Sequence, residues 1–184
     1  MVLNGIRMGA GRWSGAPREM ESPMAHSLRE NLSLVSDPGN LDHSVDEVFN
    51  MMLGASCELI PPTVIHDAET ITAVVGFGGV LSGACVFRSG GATALNIAAK
   101  LTGMEFEELD DTVKDAIGEI CNMLAGAWKG KVPGLSANCG LSIPAVITGR
   151  NYEIHVQAPE FRLHHTYRFD DSVFEVTIIC DGLQ

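Results

Sequence analysis

The chain has 184 residues, 46% of them hydrophobic, and a formal charge of -11, which suits one domain with a substantial core. Residues 1–40 carry four arginines against four acids, so residues 41–184 hold 8 basic and 19 acidic side chains. A field of that sign repels phosphate backbones and anionic lipid, which argues against nucleic acid and favours a partner with a positive patch.

No uninterrupted apolar run near the N-terminus suggests a secretory signal. The cysteines Cys57, Cys85, Cys121, Cys139 and Cys180 are odd in number and form no C-x-x-C pair. They are expected to be reduced thiols, behaving as small hydrophobes, in a cytoplasmic protein.

Residues 1–40 mix Gly, Pro, Ser, Arg and Glu without periodicity and end on the turn-rich cluster Asp37, Pro38, Gly39 and Asn40. A mobile extension is expected there, with a short helix over 27–35 as its one element. Residues 41–184 are read as the folded domain. Leu41, Val45, Val48, Phe49 and Met52 recur at helical spacing with Gly54 as the stop, which predicts a first helix. Cys57 to Ile60 reads as a short strand ended by Pro61 and Pro62. Ile71 to Val75 and Val80 to Arg88 read as a hairpin joined through Gly76, Phe77, Gly78 and Gly79. Those glycines do not fit G-x-G-x-x-G and no Walker lysine follows, so a nucleotide loop is not supported. The uncharged run Ile71 to Phe87 is marginal as a membrane span; its glycines and strand-like alternation favour two buried strands, and no membrane association is expected.

Gly91 to Leu101, rich in alanine and ended by Gly103, predicts a second helix, and an acidic run from Glu105 to Asp111 leads into a third. Val132 to Ser142 reads as loop with an irregular strand. Ala145 to Thr148, Tyr152 to Gln157, Phe161 to Phe169 and Val173 to Cys180 read as successive strands. In the third of these, Phe161, Leu163, His165, Tyr167 and Phe169 alternate with Arg162, His164, Thr166 and Arg168. His164 and His165 therefore point to opposite faces and cannot share an ion, so no metal site is expected. Nor does any nucleophile stand on a recognisable elbow.

The third helix, Leu109 to Gly130, has two opposed faces. At about 100° per residue, Val113, Ile117, Ile120, Leu124 and Trp128 fall within a sector of roughly 80° that a helix presses into a core. Opposite lie Asp111, Asp115, Gly118, Glu119, Asn122 and Gly126. Each interior glycine costs a helix about 1 kcal/mol relative to alanine, a cost that close approach of another backbone would explain; packing within the protein is the alternative. On that reading Asp115, Gly118 and Gly126 belong to a partner-docking face around Glu119 and Asn122.

The first helix echoes this segment. Glu47, Asn50, Met51 and Gly54 align with Glu119, Asn122, Met123 and Gly126, and strands follow each helix. A duplicated helix-plus-antiparallel-strand unit packed as one α+β domain is the predicted architecture, an antiparallel sheet with long helices against it. Glu47 and Asn50 thereby become a candidate second site, although polar residues occupy the wet side of any amphipathic helix.

Asp115 to Gly126 (DAIGEICNMLAG), with VFNMMLG in the first helix, LSG at Leu81 to Gly83 and SIPAVITG at Ser142 to Gly149, resembles the CheX and CheC group of chemotaxis phosphatases, and its CheX-like branch more closely. The resemblance implies a phosphatase acting on the aspartyl phosphate of a CheY-like response-regulator receiver domain. It implies that Asn122 orients the attacking water and that Glu119 pairs with a receiver lysine. It further implies that this chain binds no cofactor of its own, that a divalent metal, Mg, sits on the receiver, and that the protein is a homodimer. Glu47 and Asn50 depart from the one-site CheX pattern and approach the two-site arrangement of CheC. The alternative is a non-catalytic receiver-binding or flagellar-switch-like scaffold module, or a dimer whose helix face is buried against another subunit.

Overall fold

The computed structural model describes residues 35–65, 67–150, 152 and 159–183. Helix α1 spans Pro38–Leu53. The cluster expected to end the extension begins this helix: Asp37 is the N-cap, accepting from the Gly39 N–H at 2.9 Å, and Pro38 stands in the first turn. A proline there loses no helix hydrogen bond, and its fixed φ suits the first turn. Gly54 closes the helix with φ +61, the left-handed cap that glycine adopts without cost. The buried stripe ends on Leu53, whereas Met52 stays exposed. Val35, assigned from sequence to the extension, is fully buried in the core; the rest of the helix expected over 27–35 lies outside the described residues.

The strands are β1 (Glu58–Ile60), β2 (Thr70–Gly79), β3 (Leu81–Gly90), β4 (Cys139–Leu141), β5 (Ala145–Gly149), β6 (Phe161–Phe169) and β7 (Ser172–Leu183). Two further helices, α2 (Gly91–Thr102) and α3 (Asp111–Lys131), separate β3 from a single helical turn, α4 (Leu135–Asn138). The segment read as loop after α3 thus holds α4 and β4. Of the strand expected over Tyr152 to Gln157, Tyr152 is outside any strand and 153–157 lie outside the described residues.

All pairings are antiparallel, in the order β1-β6-β7-β3-β2, and the free side of β2 is shared by β5 along Thr70 to Val74 and by β4 along Phe77 to Gly79. The four residues expected to form the β2–β3 turn are strand: Gly76 and Phe77 pair with Ala84 and Gly83. The reversal occurs at the end of this run, across Gly79 and Val80, where Gly79 has φ +109 and any Cβ would collide with the carbonyl of Asn138. Tertiary approach of α4 placed that turn, which local sequence could not show.

With β4 set aside, exchanging β1 with β5, β2 with β6 and β3 with β7 reverses the order β1-β6-β7-β3-β2-β5 and leaves the pairings unchanged. The two halves suggested by the helix echo are therefore also legible in the topology, with the β3–β7 pair at the centre. Helices α1 and α3 pack together, and α3 lies against β2 and β3. Phe49 of α1 stacks on Phe174 of β7 at 4.4 Å between ring centroids, and Trp128 of α3 meets Phe77 at 5.2 Å, spacings at which aromatic pairs add to simple area burial.

Candidate active site

Helix α3 is set from both ends. Asp110 caps its N-terminus, accepting from the Val113 N–H at 2.9 Å, and Asp111 stands in the first turn. Lys129 and Lys131 occupy the last turn, so charge follows the helix dipole throughout. The Lys129 ammonium donates to the carbonyls of Cys139 (2.6 Å) and Ser136 (3.2 Å), tying the end of α3 to β4.

The inner face holds as the spacing predicts: Val113, Ile117, Ile120, Leu124 and Trp128 are all fully buried. Cys121 is buried with them, its sulfur 3.4 Å from the Ala73 carbonyl and 3.5 Å from that of Cys85. This contact fixes the turn carrying Glu119 and Asn122 onto β2 and β3, and composition alone gave no sign of it. The five cysteines are free. Burial, followed by the Asp46 charge, pushes the Cys57 thiol up to about 12. Burial likewise raises Cys180 to about 11. Protonated thiols are poor nucleophiles.

On the outer face Asp115 and Glu119 are exposed, and Asn122 is half-buried. Glu119 and Asn122, three positions apart, are neighbours on the helix surface. Among the described residues neither side chain has a hydrogen-bond or ion-pair partner. Both polar ends are thus unengaged by any described residue.

Gly118 departs from expectation. It is buried, and a Cβ there would lie 3.3 Å from Pro144 Cβ and 3.4 Å from Val146 Cγ2. Its missing side chain admits the interrupted edge between β4 and β5, which is the packing alternative and not an open docking surface. At Gly126 an added Cβ would meet nothing within 4 Å, so that position does open outward. Between helix and edge lies a depression of about 290 Å³, lined by Lys114, Asp115, Gly118, Glu119, Pro144 and Val146.

The candidate second pair on α1 is placed differently. Glu47 is ion-paired with Lys131 at the end of α3, whereas Asn50 is exposed. The Glu47 carboxylate thus has an internal partner, whereas Glu119 has none among the described residues. His164 and His165 diverge as expected: Nδ1 of His164 lies 2.8 Å from the Thr177 hydroxyl, and Nδ1 of His165 lies 2.7 Å from the Asp42 carboxylate. The Tyr167 hydroxyl donates to the same carboxylate oxygen at 2.7 Å.

Residues 71–166, a span that holds both Glu119 with Asn122 and the Pro144 edge, match the family model described as chemotaxis phosphatase CheX. The chain belongs to the CheX family. It is 30% identical over 115 residues to the CheY-P phosphatase CheX of Thermotoga maritima, an alignment covering 60% of this chain and 74% of that protein. In fold it resembles the chemotaxis protein CheX of Vibrio vulnificus, with a TM-score of 0.68 at 18% identity over 79% of this chain and 97% of that one. It also resembles the crystallised CheX-CheY-BeF3-Mg complex of Borrelia burgdorferi, with a TM-score of 0.62 at 22% identity over 78% and 97% of the two chains. Among the described residues no helix is long and apolar enough to cross a membrane.

Proposed function

We propose that this CheX-family protein dephosphorylates the aspartyl phosphate of a CheY-like receiver domain, docking through α3. The observation that carries the reading is the pair Glu119 and Asn122, side by side on the outer face of a helix whose other face is locked into the core, both without a partner among the described residues. Family membership and the CheY-P phosphatase activity of the Thermotoga maritima relative support it.

In the proposed reaction a water oxygen attacks phosphorus in line with the aspartyl oxygen. The P–O bond to the receiver carboxylate breaks, the carboxylate leaves as the anion, and inorganic phosphate carries the new oxygen together with the water's protons, which it exchanges with solvent. Asn122 holds the water: an amide accepts a hydrogen bond from it and donates one towards phosphate, without ionising. Positioning of this kind is the main demand of phosphoryl transfer. Glu119 offers a charge-assisted contact to a receiver lysine, which sets register. A divalent metal held by the receiver supplies charge neutralisation for the phosphoryl oxygens.

The test is decay of phosphate from the host's receiver domains with and without this protein. Wild type is expected to accelerate decay and Asn122→Ala to lose the acceleration. An Asn122→Ala variant as active as wild type would refute the mechanism.

A further inference from the structure

Ile143 is the most exposed large apolar side chain among the described residues, at 88%. A single exposed isoleucine is ordinary in itself; the place and stiffness of this one are not. It sits in the gap between β4 and β5, where the edge strand leaves the ladder of β2. On one side Ser142 is held twice by Gly76, its N–H donating to the Gly76 carbonyl and its hydroxyl accepting from the Gly76 N–H, each at 2.9 Å. On the other side Pro144 restricts Ile143 to extended conformations and is itself packed on Gly118. The isoleucine is therefore displayed on a fixed backbone, so that its burial would cost little ordering entropy.

Two contacts align the edge with α3: Gly118 against Pro144 and Lys129 against Cys139. Ile143 falls between these anchors in the edge, as Glu119 and Asn122 fall between them in the helix. The depression beside this edge has Asp115, Glu119 and Lys114 on its helical wall, the lysine ammonium being paired with Asp111 at 3.0 Å, and Pro144 and Val146 on the other. A partner that offers a cation to α3 thus brings neighbouring surface down onto the apolar wall.

Resting on the reading of α3 as the receiver-docking helix, we propose that Ile143 and the Pro144–Val146 wall form the apolar half of that docking surface, contacting the receiver domain beside its phosphorylated aspartate. Glu119 selects charge on the receiver, and Ile143 selects apolar surface next to it. Ile143 has no part in the chemistry; its loss weakens encounter and leaves turnover intact.

The experiment measures receiver-phosphate decay against receiver concentration for wild type, Ile143→Ser, Ile143→Asp and Val64→Asp. Val64 is also exposed, at 70%, and lies outside this edge, so it controls for added negative charge. Ile143→Asp is expected to raise the half-saturating receiver concentration at least tenfold with maximal rate within twofold of wild type, Ile143→Ser to raise it less, and Val64→Asp to leave it unchanged. A half-saturating concentration for Ile143→Asp within twofold of wild type overturns the inference, as does an equal shift in Val64→Asp. A change of sedimentation mass in Ile143→Asp also overturns it, placing the residue between copies of this chain. Failure of wild type to accelerate decay of any host receiver would instead sink the phosphatase reading beneath it.

Discussion

Pro144 of the interrupted edge rests on Gly118 of α3, at a distance where an added Cβ would lie 3.3 Å from the proline Cβ. Two effects oppose each other in Gly118→Ala. Alanine favours the helix by about 1 kcal/mol, and the tight approach to Pro144 and Val146 costs a comparable amount. We expect a change in stability of less than about 1 kcal/mol, whereas Gly118→Leu overpacks the junction and costs about 1–3 kcal/mol. At Gly126, with open space around an added Cβ, alanine should stabilise by about 1 kcal/mol. Urea unfolding of the three variants checks both. If a receiver backbone lies against Gly126, the same variant will also bind the receiver less tightly.

Glu119 and Asn122 make no internal hydrogen bond or ion pair among the described residues, so their removal should leave folding almost untouched. Asn122→Ala is expected to lose roughly 2–4 kcal/mol of transition-state stabilisation, read as a lower maximal rate of phosphate release. Glu119→Ala should act mainly on the receiver concentration needed for half-maximal rate. A matched melting temperature for all three proteins separates these effects from misfolding.

The Lys131–Glu47 ion pair is partly exposed, and such pairs contribute about 0–1 kcal/mol. Glu47→Ala should therefore cost little stability. Because that carboxylate is engaged within the chain, we expect Asn50→Ala to leave the rate of receiver dephosphorylation unchanged, and Asn50→Ala added to Asn122→Ala to lower the residual rate no further. A further fall in the double variant would establish Asn50 as a second working position.

Alkali should unfold the protein through groups buried in protonated form. Burial, then the hydrogen bond to Asp42, raises the Tyr167 phenol well above its usual value, and Cys57 is pushed up to about 12. In the unfolded chain these groups ionise near pH 10 and about 8.5. Their contribution is complete below the unfolded values and is lost as pH climbs towards the folded ones, by up to about 1.4 kcal/mol per pH unit for each group. The urea midpoint is expected to fall between pH 9 and pH 11 on the scale these pKa values set. Tyr167→Phe, which cannot ionise, should show a shallower fall.

The local elements were legible in the chain. Five apolar positions in α3, and Tyr167 and Phe169 in β6, mark core faces because helix and strand repeat every 3.6 and 2 residues, although Thr166 on the other face of β6 is buried as well. The pair Glu119 and Asn122 was visible for the same reason: residues three apart on a helix are neighbours. The matching helix halves likewise anticipated the symmetry later seen in the strand order. Where the turn after β2 falls was not legible, since it depends on the approach of Asn138 to Gly79, two residues brought together only by the sheet.

Sequence by itself thus determined the α+β class, the amphipathic α3 and the outward acid–amide pair, all properties of short-range backbone geometry. Tertiary structure alone decided that Gly118 is filled by Pro144 while Gly126 stays open, that Glu47 is taken by Lys131, 84 positions away, and that Asp42 joins His165 across 123 positions. Such contacts follow from which strand lies beside which helix, and no periodicity within either segment encodes them. The outward pair Glu119 and Asn122 was therefore readable in the sequence, whereas the Pro144 and Val146 wall of the depression beside Glu119 exists only because the edge strand folds against α3.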